Sequence, residues 1–235
     1  MNISFISPFC NLLKNFTSTS ILDRASKKKI VSYSYLDLFS FSSDPHNRID
    51  DYPYGGGEGM ILKAQPIFSA YESILKKDIK PRVIYPTPDG KKLSINLSLD
   101  LSRENDIIFI CGHYKGIDQR IRDEIVTDEI SIGDYVLTGG ELPACVIADS
   151  IIRLIPGVIN NIESAKTDSF YNDLLDCAHY TRPDIFKKLE VPDILLSGNH
   201  KEIEKWKLEN RIDKTKKRRI DLYKIYLKKN NQKVE

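Results

Sequence analysis

Cysteine and histidine are scarce in this sequence, and they are not spaced as metal ligands or disulfide partners. The four cysteines are far apart and include no CxxC pair: Cys10, Cys111, Cys145 and Cys177. That spacing argues against a zinc site and against a disulfide framework. The four histidines show no HxxxH spacing, which argues against a metal site built from them. We therefore expect reduced thiols and no metal ligands.

Long hydrophobic runs are also missing. No apolar run reaches about 18 residues, the length typical of a transmembrane helix. The N-terminal residues lack the basic stretch that precedes the apolar core of a signal peptide. Hydrophobic residues nevertheless make up 41% of the 235 positions, enough for a real core. We expect a cytoplasmic protein with one large domain, or with one domain and a small appendage.

Charge of neither sign dominates the whole chain, but the charges are unevenly distributed. Residues 197–235 contain 13 Lys and Arg against 6 Asp and Glu, a local charge of +7. Because the whole chain carries +2, the remainder is acidic. A basic end on an acidic body favours a polyanionic partner. For any single lysine, a solvated helix face is the alternative interpretation.

Apolar segments along the chain alternate between strand-like and helix-like patterns. Strands are predicted at residues 2–6, 30–35, 82–85 and 107–111, with a further buried strand near 130. Helices are predicted at residues 66–75 and 118–124 and after the turn at 139–140. This alternation indicates an α/β domain with a largely parallel sheet. A polar stretch at 160–176 is the predicted linker between a domain at 1–159 and a basic region at 177–235.

The most informative stretch runs from residue 130 to residue 159. It predicts a buried strand, a double-glycine turn at Gly139 and Gly140, and an apolar helix opened by Glu141. The glycines allow backbone conformations that a side chain would block, and they let a ligand approach the main chain closely. The helix carries one basic residue, Arg153, in an otherwise apolar run. The pattern also fits an ordinary strand–turn–helix, because a single Gly-Gly pair is a weak signal.

Three turns rich in glycine or proline follow predicted strands, at residues 86–90, 112–116 and 132–140. In open α/β sheets, ligands bind at the carboxyl ends of the strands. Main-chain donors and acceptors in such turns suit a flat heterocycle. Three turns at this edge therefore indicate a binding site more strongly than one turn would.

A glycine-rich loop, residues 54–60, resembles a phosphate-binding loop only superficially. It lacks the Lys-Ser/Thr pair of a P-loop, and no clear strand precedes it. Long loops without apolar periodicity are usually functional or disordered. The loop is better interpreted as a flexible segment that grips a substrate.

Taken together, these segments resemble the bacterial tRNA (guanine-N1)-methyltransferases of the TrmD type, in the SPOUT class. The matching segments appear in family order over nearly the whole chain: residues 50–57, 59–60, 83–85, 111–112, 116–118, 131–143, 149–150, 155–158, 168–170, 174–177, 179–183 and 195–200, with Arg153. As a set, these motifs are very specific.

The resemblance implies a fold, an activity and an assembly. The expected fold is a trefoil-knotted parallel sheet with helices on both faces, followed by a small helical C-terminal domain. The expected enzyme is a homodimer whose active sites are each built from both subunits. It is expected to transfer methyl from S-adenosyl-L-methionine to N1 of the tRNA guanosine at position 37, just 3′ of the anticodon.

The resemblance also implies roles for individual residues. Asp168 matches the general base, and Arg153 matches the cation that stabilises charge on the guanine. The implied cofactor-binding residues are Thr87, Pro88, Gly112, Tyr114, Ile132, Gly133, Asp134, Tyr135, Val136, Leu137, Gly139 and Gly140. The implied tRNA-binding residues are Tyr54, Gly56, Gly57, Gly59, Met60 and Ser169, together with the basic region at 177–235.

Lys115 departs from the family pattern, in which many members have Glu. That Glu is associated with the amino-acid end of the cofactor or with a magnesium ion, so the lysine argues against a simple transfer of Mg²⁺ dependence. Two other interpretations stay open: a SPOUT RNA methyltransferase with a different target, and a non-catalytic RNA-binding relative.

Overall fold

The computed structural model describes residues 1–77, 79–159 and 167–231. The chain divides into two compact units, Met1–Asn160 and Asn161–Glu235. Of the linker predicted at 160–176, residues 160–166 lie outside the described part. The remaining residues, 167–176, belong to the second unit.

The first unit is built on a five-stranded parallel sheet. The unit contains seven strands among its described residues, five of which form this sheet. In chain order they are β1 (Asn2–Ser7), β2 (Ser32–Asp37), β3 (Asp50–Asp51), β4 (Ile61–Leu62), β5 (Arg82–Lys92), β6 (Asp106–Ile110) and β7 (Asp128–Ser131). The main sheet has the order β2-β1-β6-β5-β7, and all its pairs are parallel. β3 and β4 form a separate antiparallel hairpin. The predicted α/β fold with a parallel sheet is confirmed.

Helices cover both faces of this sheet. They are α1 (Cys10–Thr17), α2 (Ser20–Lys27), α3 (Ala64–Ile74), α4 (Ile95–Leu101), α5 (Gln119–Glu124) and α6 (Glu141–Ile152). Successive strand residues point to opposite faces. Ile3, Phe5 and Phe109 therefore pack in one core with α1, α2, α4 and α6. Ile6 and Ile108 pack in a second core with α3 and α5.

The observed extent of β5 shows that one prediction is wrong. The sequence predicts a strand at 82–85 that ends in a turn at 86–90, but β5 continues to Lys92. Both Pro86 and Lys91 are in register with Ile130, so the residues between them bulge out of the ladder. Proline cannot donate a ladder hydrogen bond, which favours an irregularity here. The predicted turn is therefore a bulge within a strand.

α4 is not evident from the sequence pattern. Apolar residues at 95, 97, 99 and 101 alternate as in a strand. The segment is nevertheless helical, and Ser94 caps it by accepting a hydrogen bond from the Leu97 nitrogen at 3.3 Å. Here the capping interaction and the tertiary packing of Leu101 prevail over the local period.

The second unit contains a short hairpin and a helical C-terminal part. Its elements are β8 (Ile185–Phe186), β9 (Leu189–Glu190), α7 (Asp193–Leu196), α8 (His200–Arg218) and α9 (Ile220–Asn231). α8 begins after Asn199, whose side chain accepts a hydrogen bond from the Glu202 nitrogen. Among the described residues, no helix is both long enough and apolar enough to cross a membrane.

Candidate functional site

A cavity of about 240 Å³ lies at the carboxyl edge of the parallel sheet. Its walls come from the β5 bulge, the segment after β6 and the loop between β7 and α6. Eleven of the twelve residues predicted to bind cofactor line it: Thr87, Pro88, Gly112, Tyr114, Ile132, Gly133, Tyr135, Val136, Leu137, Gly139 and Gly140. Asp134 belongs to the same loop but is not part of the lining.

Two glycines allow main-chain segments of the cavity to approach more closely than side chains would permit. A Cβ atom on Gly140 would lie 2.8 Å from the Gly112 nitrogen and 2.9 Å from Cα of Cys111. A Cβ atom on Gly112 would lie 2.9 Å from the Tyr85 ring. The Gly140 nitrogen also donates to the Gly112 carbonyl at 2.8 Å. The two glycines therefore let neighbouring parts of the protein pack directly against the main chain at this edge of the cavity.

Glu141, the first residue of α6, is only 3% exposed and forms a buried hydrogen-bond network. Its Oε1 accepts from Ser7 Oγ at 2.6 Å, and its Oε2 lies 2.7 Å from His113 Nε2. A Cβ atom on Gly139 would overlap the His113 ring, so this pair lies directly against the double-glycine turn. The sequence identifies Glu141 as a helix start but not its partners, because Ser7 is 134 residues away.

Thr87 in the β5 bulge belongs to a second network, which no local sequence pattern indicates. Its hydroxyl donates to Asp89 Oδ1, and Arg122 Nη2 donates to Asp89 Oδ2 at 2.8 Å. Arg122 also donates to Glu129 at 2.7 Å, and its guanidinium lies 5.4 Å from the centre of the Tyr85 ring. The hydrogen bonds from Arg122 and Thr87 lower the pKa of Asp89. The carboxylate therefore stays ionised at neutral pH and holds the bulge in shape.

Cys111 directly follows β6 and precedes Gly112 of the cavity. Its thiol is buried, and burial together with the nearby Glu141 carboxylate raises the pKa of Cys111 well above its ordinary value. Burial also raises the pKa of Cys145 to about 12. Both thiols are therefore protonated at neutral pH, and none of the four cysteines forms a disulfide.

The glycine-rich loop between β3 and β4 borders the cavity at one end. It carries five of the residues predicted to bind tRNA: Tyr54, Gly56, Gly57, Gly59 and Met60. Its glycines adopt positive φ angles, and Tyr54 is fully exposed. The Met60 carbonyl accepts from the nitrogen of Lys115 at 3.0 Å, and Lys115 lines the cavity. The C-terminal end of the loop is thus tied to the cavity rim.

The two residues predicted to carry the chemistry lie in different units. Arg153 directly follows α6 in the first unit and is half-buried. One helical turn earlier, burial raises the pKa of Asp149, and the positive charge of Arg153 opposes that rise. Asp168 and Ser169 are half-buried in the second unit. Ser169, the sixth residue predicted to bind tRNA, accepts a hydrogen bond at Oγ from the Asp176 nitrogen at 2.9 Å.

Among the described residues, Asp176, Cys177 and His179 form the one group that brings three metal-ligating atoms within 4.8 Å of one another. Asp176 Oδ2 lies 2.8 Å from His179 Nε2, and Asp176 Oδ1 accepts from the Cys177 nitrogen at 2.7 Å. Both carboxylate oxygens therefore already have partners in the protein. Hydrogen bonding accounts for this grouping without a metal ion.

Comparisons with known proteins give one consistent similarity. A family model described as "tRNA (Guanine-1)-methyltransferase TrmD" matches residues 1–225. A protein of Lachnospira eligens named tRNA (guanine-N(1)-)-methyltransferase is 48% identical over 232 residues, covering 98% of each chain. A protein of the same name from Clostridioides difficile is 48% identical, over 99% of this chain and 100% of its own. Another from Listeria monocytogenes is 47% identical, over 100% of this chain and 96% of its own.

Proposed function

Because the chain belongs to the tRNA (guanine-1)-methyltransferase family TrmD, we propose that it transfers methyl from S-adenosyl-L-methionine to N1 of a tRNA guanosine. The proposed target is position 37, 3′ of the anticodon, and the proposed compartment is the cytoplasm. The cavity walled by glycine backbone carries this proposal, in a chain that the family model matches over residues 1–225.

Mass mapping of methylated nucleotides tests the proposal directly. Unmodified tRNA is incubated with the purified protein and S-adenosyl-L-methionine, and nuclease fragments are then analysed. We expect one added methyl group, on the guanine at position 37. Methylation of another nucleotide would identify a relative with a different target. Binding of tRNA without methylation would identify a non-catalytic RNA-binding relative.

The proposed fold is the SPOUT fold, with a deep trefoil knot in the first unit. The parallel sheet with helices on both faces and the cavity at its carboxyl edge support this proposal. Residues 160–176 are proposed as the linker that carries Asp168, and residues 177–235 as a small tRNA-binding domain. The helices α8 and α9 support that helical assignment.

The cavity residues fit the adenosyl part of S-adenosyl-L-methionine. The lining carries no side chains at Gly112, Gly139 and Gly140, so a flat ring system can lie directly against the main chain there. The remaining predicted residues, including Asp134, would hold the rest of the molecule. When bound, this cofactor supplies an electrophilic methyl group on a sulfonium.

Asp168 is the proposed general base. N1 of neutral guanine carries a proton and has no free lone pair, so the proton must leave before or during attack. A carboxylate can accept that proton at one of its oxygens. As the proton leaves N1, negative charge develops on O6 of the base. The Arg153 guanidinium is proposed to stabilise that charge, because a cation fixed where charge develops lowers the barrier.

Magnesium does not fit the cavity. Among the described residues, the lining includes the ammonium-bearing Lys115 and no carboxylate. Of the acids near the lining, Asp89 and Glu141 are already engaged by Arg122, Ser7 and His113, and Asp134 lies in the loop but outside the lining. Since Mg²⁺ prefers carboxylate oxygens, no step of the proposed mechanism uses it.

The proposed assembly is a homodimer in which each active site is built from both subunits. α6 is apolar on nearly all sides, and its buried face leaves Leu142 and Val146 on the surface, one turn apart, at 53% and 47% exposure. An exposed apolar strip on a core helix is typical of a surface covered by a partner. A second copy of this chain is the proposed partner.

A mixing experiment is expected to reveal composite sites. Asp168→Asn chains and Arg153→Ala chains should each be nearly inactive, but co-refolded mixtures should regain part of the activity. The reason is that one of the two sites in a mixed dimer would keep both residues intact. Initial rates and sedimentation of the mixture provide the measurement. A fully active monomer, or mixtures that remain as inactive as the parents, would contradict the composite site.

The second unit is proposed to bind the tRNA backbone. Lys216, Lys217 and Arg218 form the basic last turn of α8 and are exposed. Each phosphate contact releases counterions, which makes binding weaker as salt rises. Replacing all three residues with glutamine is expected to weaken tRNA binding and to reduce the slope of log affinity against log salt by about 2.

A matched control is available in the first unit. Lys27, Lys28 and Lys29 are likewise three consecutive exposed cations. The corresponding triple glutamine variant should leave the salt slope close to that of wild type. Equal slopes for wild type and the α8 variant would show that this end of α8 makes no phosphate contact.

A further inference from the structure

We infer that Thr215 is a positioning residue for methyl transfer, because its buried hydroxyl anchors the segment that carries Asp168. This inference rests on the proposed function, in which Asp168 is the base. We define the Asp168 loop as residues 168–178. The hydrogen bonds that Asn210, Arg211 and Thr215 make to this loop lie within the second unit.

The Asp168 loop is held together by two internal hydrogen bonds. The Phe170 nitrogen donates to the Leu174 carbonyl at 2.8 Å, and the Asp176 nitrogen donates to Ser169 Oγ at 2.9 Å. Phe170 has a φ of +78°, which is unfavourable for a residue with a side chain. Its ring lies 5.7 Å from the Arg219 guanidinium. The residues beside Asp168 are therefore held in one defined, strained conformation.

The C-terminal half of the loop is attached to one face of α8. The Leu175 nitrogen donates to Thr215 Oγ1 at 2.8 Å, and Arg211 Nε donates to the Leu175 carbonyl at 3.3 Å. The Asn210 side chain accepts from the Ala178 nitrogen at 2.8 Å. These contacts satisfy the backbone of a segment without regular secondary structure. The position of Asp168 thus depends on side chains roughly 40 residues further along the chain.

Thr215 is the central contact in this attachment. It is 0% exposed and is the one fully buried residue of α8. Its hydroxyl donates to the Arg211 carbonyl at 2.7 Å and accepts from the Leu175 nitrogen at 2.8 Å, so it links the helix to the loop. Threonine is a weak helix former, and its hydroxyl competes with the helix backbone. Docking of the loop gives this hydroxyl a role that helix formation alone does not require.

A general base must lie within hydrogen-bonding reach of the proton it removes. Thr215→Val keeps the side-chain shape but leaves the partly buried Leu175 N–H without its acceptor. The loop is then expected to shift, and small misplacements of a reacting group reduce rates strongly. The single-turnover rate of methyl transfer should fall about tenfold. The affinity for S-adenosyl-L-methionine should stay unchanged, because the cavity lining belongs to the first unit.

Thr17 provides a matched control. It is also buried in a helix, and its Oγ1 also donates to the carbonyl four residues earlier, at 2.9 Å from Leu13. Its Oγ1 also lies 3.2 Å from the Lys14 carbonyl and contacts the Tyr35 hydroxyl, and both partners belong to the first unit. Thr17→Val should lower stability comparably but leave the transfer rate near wild type. Thr215→Ser, which retains the hydroxyl, should restore the rate.

The experiment measures the single-turnover rate, cofactor affinity, unfolding midpoint and amide exchange of Leu175 in the full-length variants. Asn210→Ala removes a second, partly exposed anchor and should also slow methyl transfer. This variant keeps the inference testable if Thr215→Val folds poorly. A wild-type rate for both Thr215→Val and Asn210→Ala would overturn the inference. So would equal slowing by Thr17→Val, or failure of Thr215→Ser to restore the rate. If the wild-type protein methylates no guanosine, the proposed function fails. The anchoring is tested separately by the amide hydrogen exchange of Leu175. An exchange rate in Thr215→Val equal to that of the wild type would refute the anchoring.

Discussion

Replacing Asp168 with asparagine is expected to slow methyl transfer by about 10²–10⁴-fold, the usual range for loss of a general base. Asparagine has nearly the same shape, but its amide cannot accept the N1 proton. The affinity for S-adenosyl-L-methionine should stay near wild type, because the described residues that line the cavity belong to the first unit. The effect should therefore appear in the rate and not in cofactor binding.

Asp173→Asn is the matched control for this variant. Asp173 lies in the same loop, and its carboxylate pairs with the Lys229 ammonium at 2.5 Å near the surface. Exposed ion pairs contribute little stability. Its loss should leave the rate almost unchanged. Single-turnover rates and calorimetric titration with the cofactor provide the measurements. If Asp168→Asn retained a rate within about threefold of wild type, Asp168 would not be the base.

Replacing Gly140 with alanine is expected to weaken binding of S-adenosyl-L-methionine by about 30-fold to 150-fold. Gly140 has an ordinary φ of −81°, so alanine would cause no backbone strain there. Its Cβ atom would instead meet the Gly112 nitrogen and Cys111 Cα, at 2.8 and 2.9 Å. These are main-chain atoms, which cannot rotate away. Overpacking costs about 1–3 kcal/mol, and we expect the upper part of that range here because relief requires displacement of the cavity wall.

Gly198→Ala is the control that distinguishes weaker cofactor binding from a general loss of stability. Gly198 has a φ of +71°, and a Cβ atom added there would meet no atom within 4 Å, so alanine introduces backbone strain without a clash. That variant should have a lower unfolding midpoint but normal cofactor affinity. Titration calorimetry and thermal unfolding of both variants give the comparison. Wild-type affinity in Gly140→Ala would show that the close approach to Gly112 is not required for binding.

The cavity could be anticipated from the sequence because its walls are local features. Glycine and proline punctuate the chain where strands end, and parallel strands bring those ends to one edge. The networks behind the walls could not be anticipated. Glu141 meets Ser7 across 134 positions, and Arg122 meets Asp89 across 33. No local pattern marks such pairs, since both residue types are common on surfaces.

The periodicity of apolar residues and the intrinsic preferences of residues for helix or strand also fail to predict two elements. α4 has the alternating pattern of a strand but folds as a helix, and β5 resumes after a segment that predicts a turn. The role proposed for Asp168 comes from family resemblance alone, since an aspartate in a polar segment is usually only solvated. Thr215 is equally inconspicuous in the sequence, because its partner Leu175 is 40 residues away.

The burial of Cys111 has a consequence for chemical selectivity. A sulfonium methyl donor is an alkylating agent, and thiolates are better nucleophiles than thiols. Cys111 adjoins Gly112 of the proposed cofactor cavity, yet burial and the Glu141 carboxylate raise the pKa of Cys111 and keep its sulfur protonated. The hydrogen-bond network that shapes the double-glycine turn thus also suppresses self-alkylation. The same residues would help to reserve the methyl group for RNA by keeping this buried thiol beside the cavity unreactive.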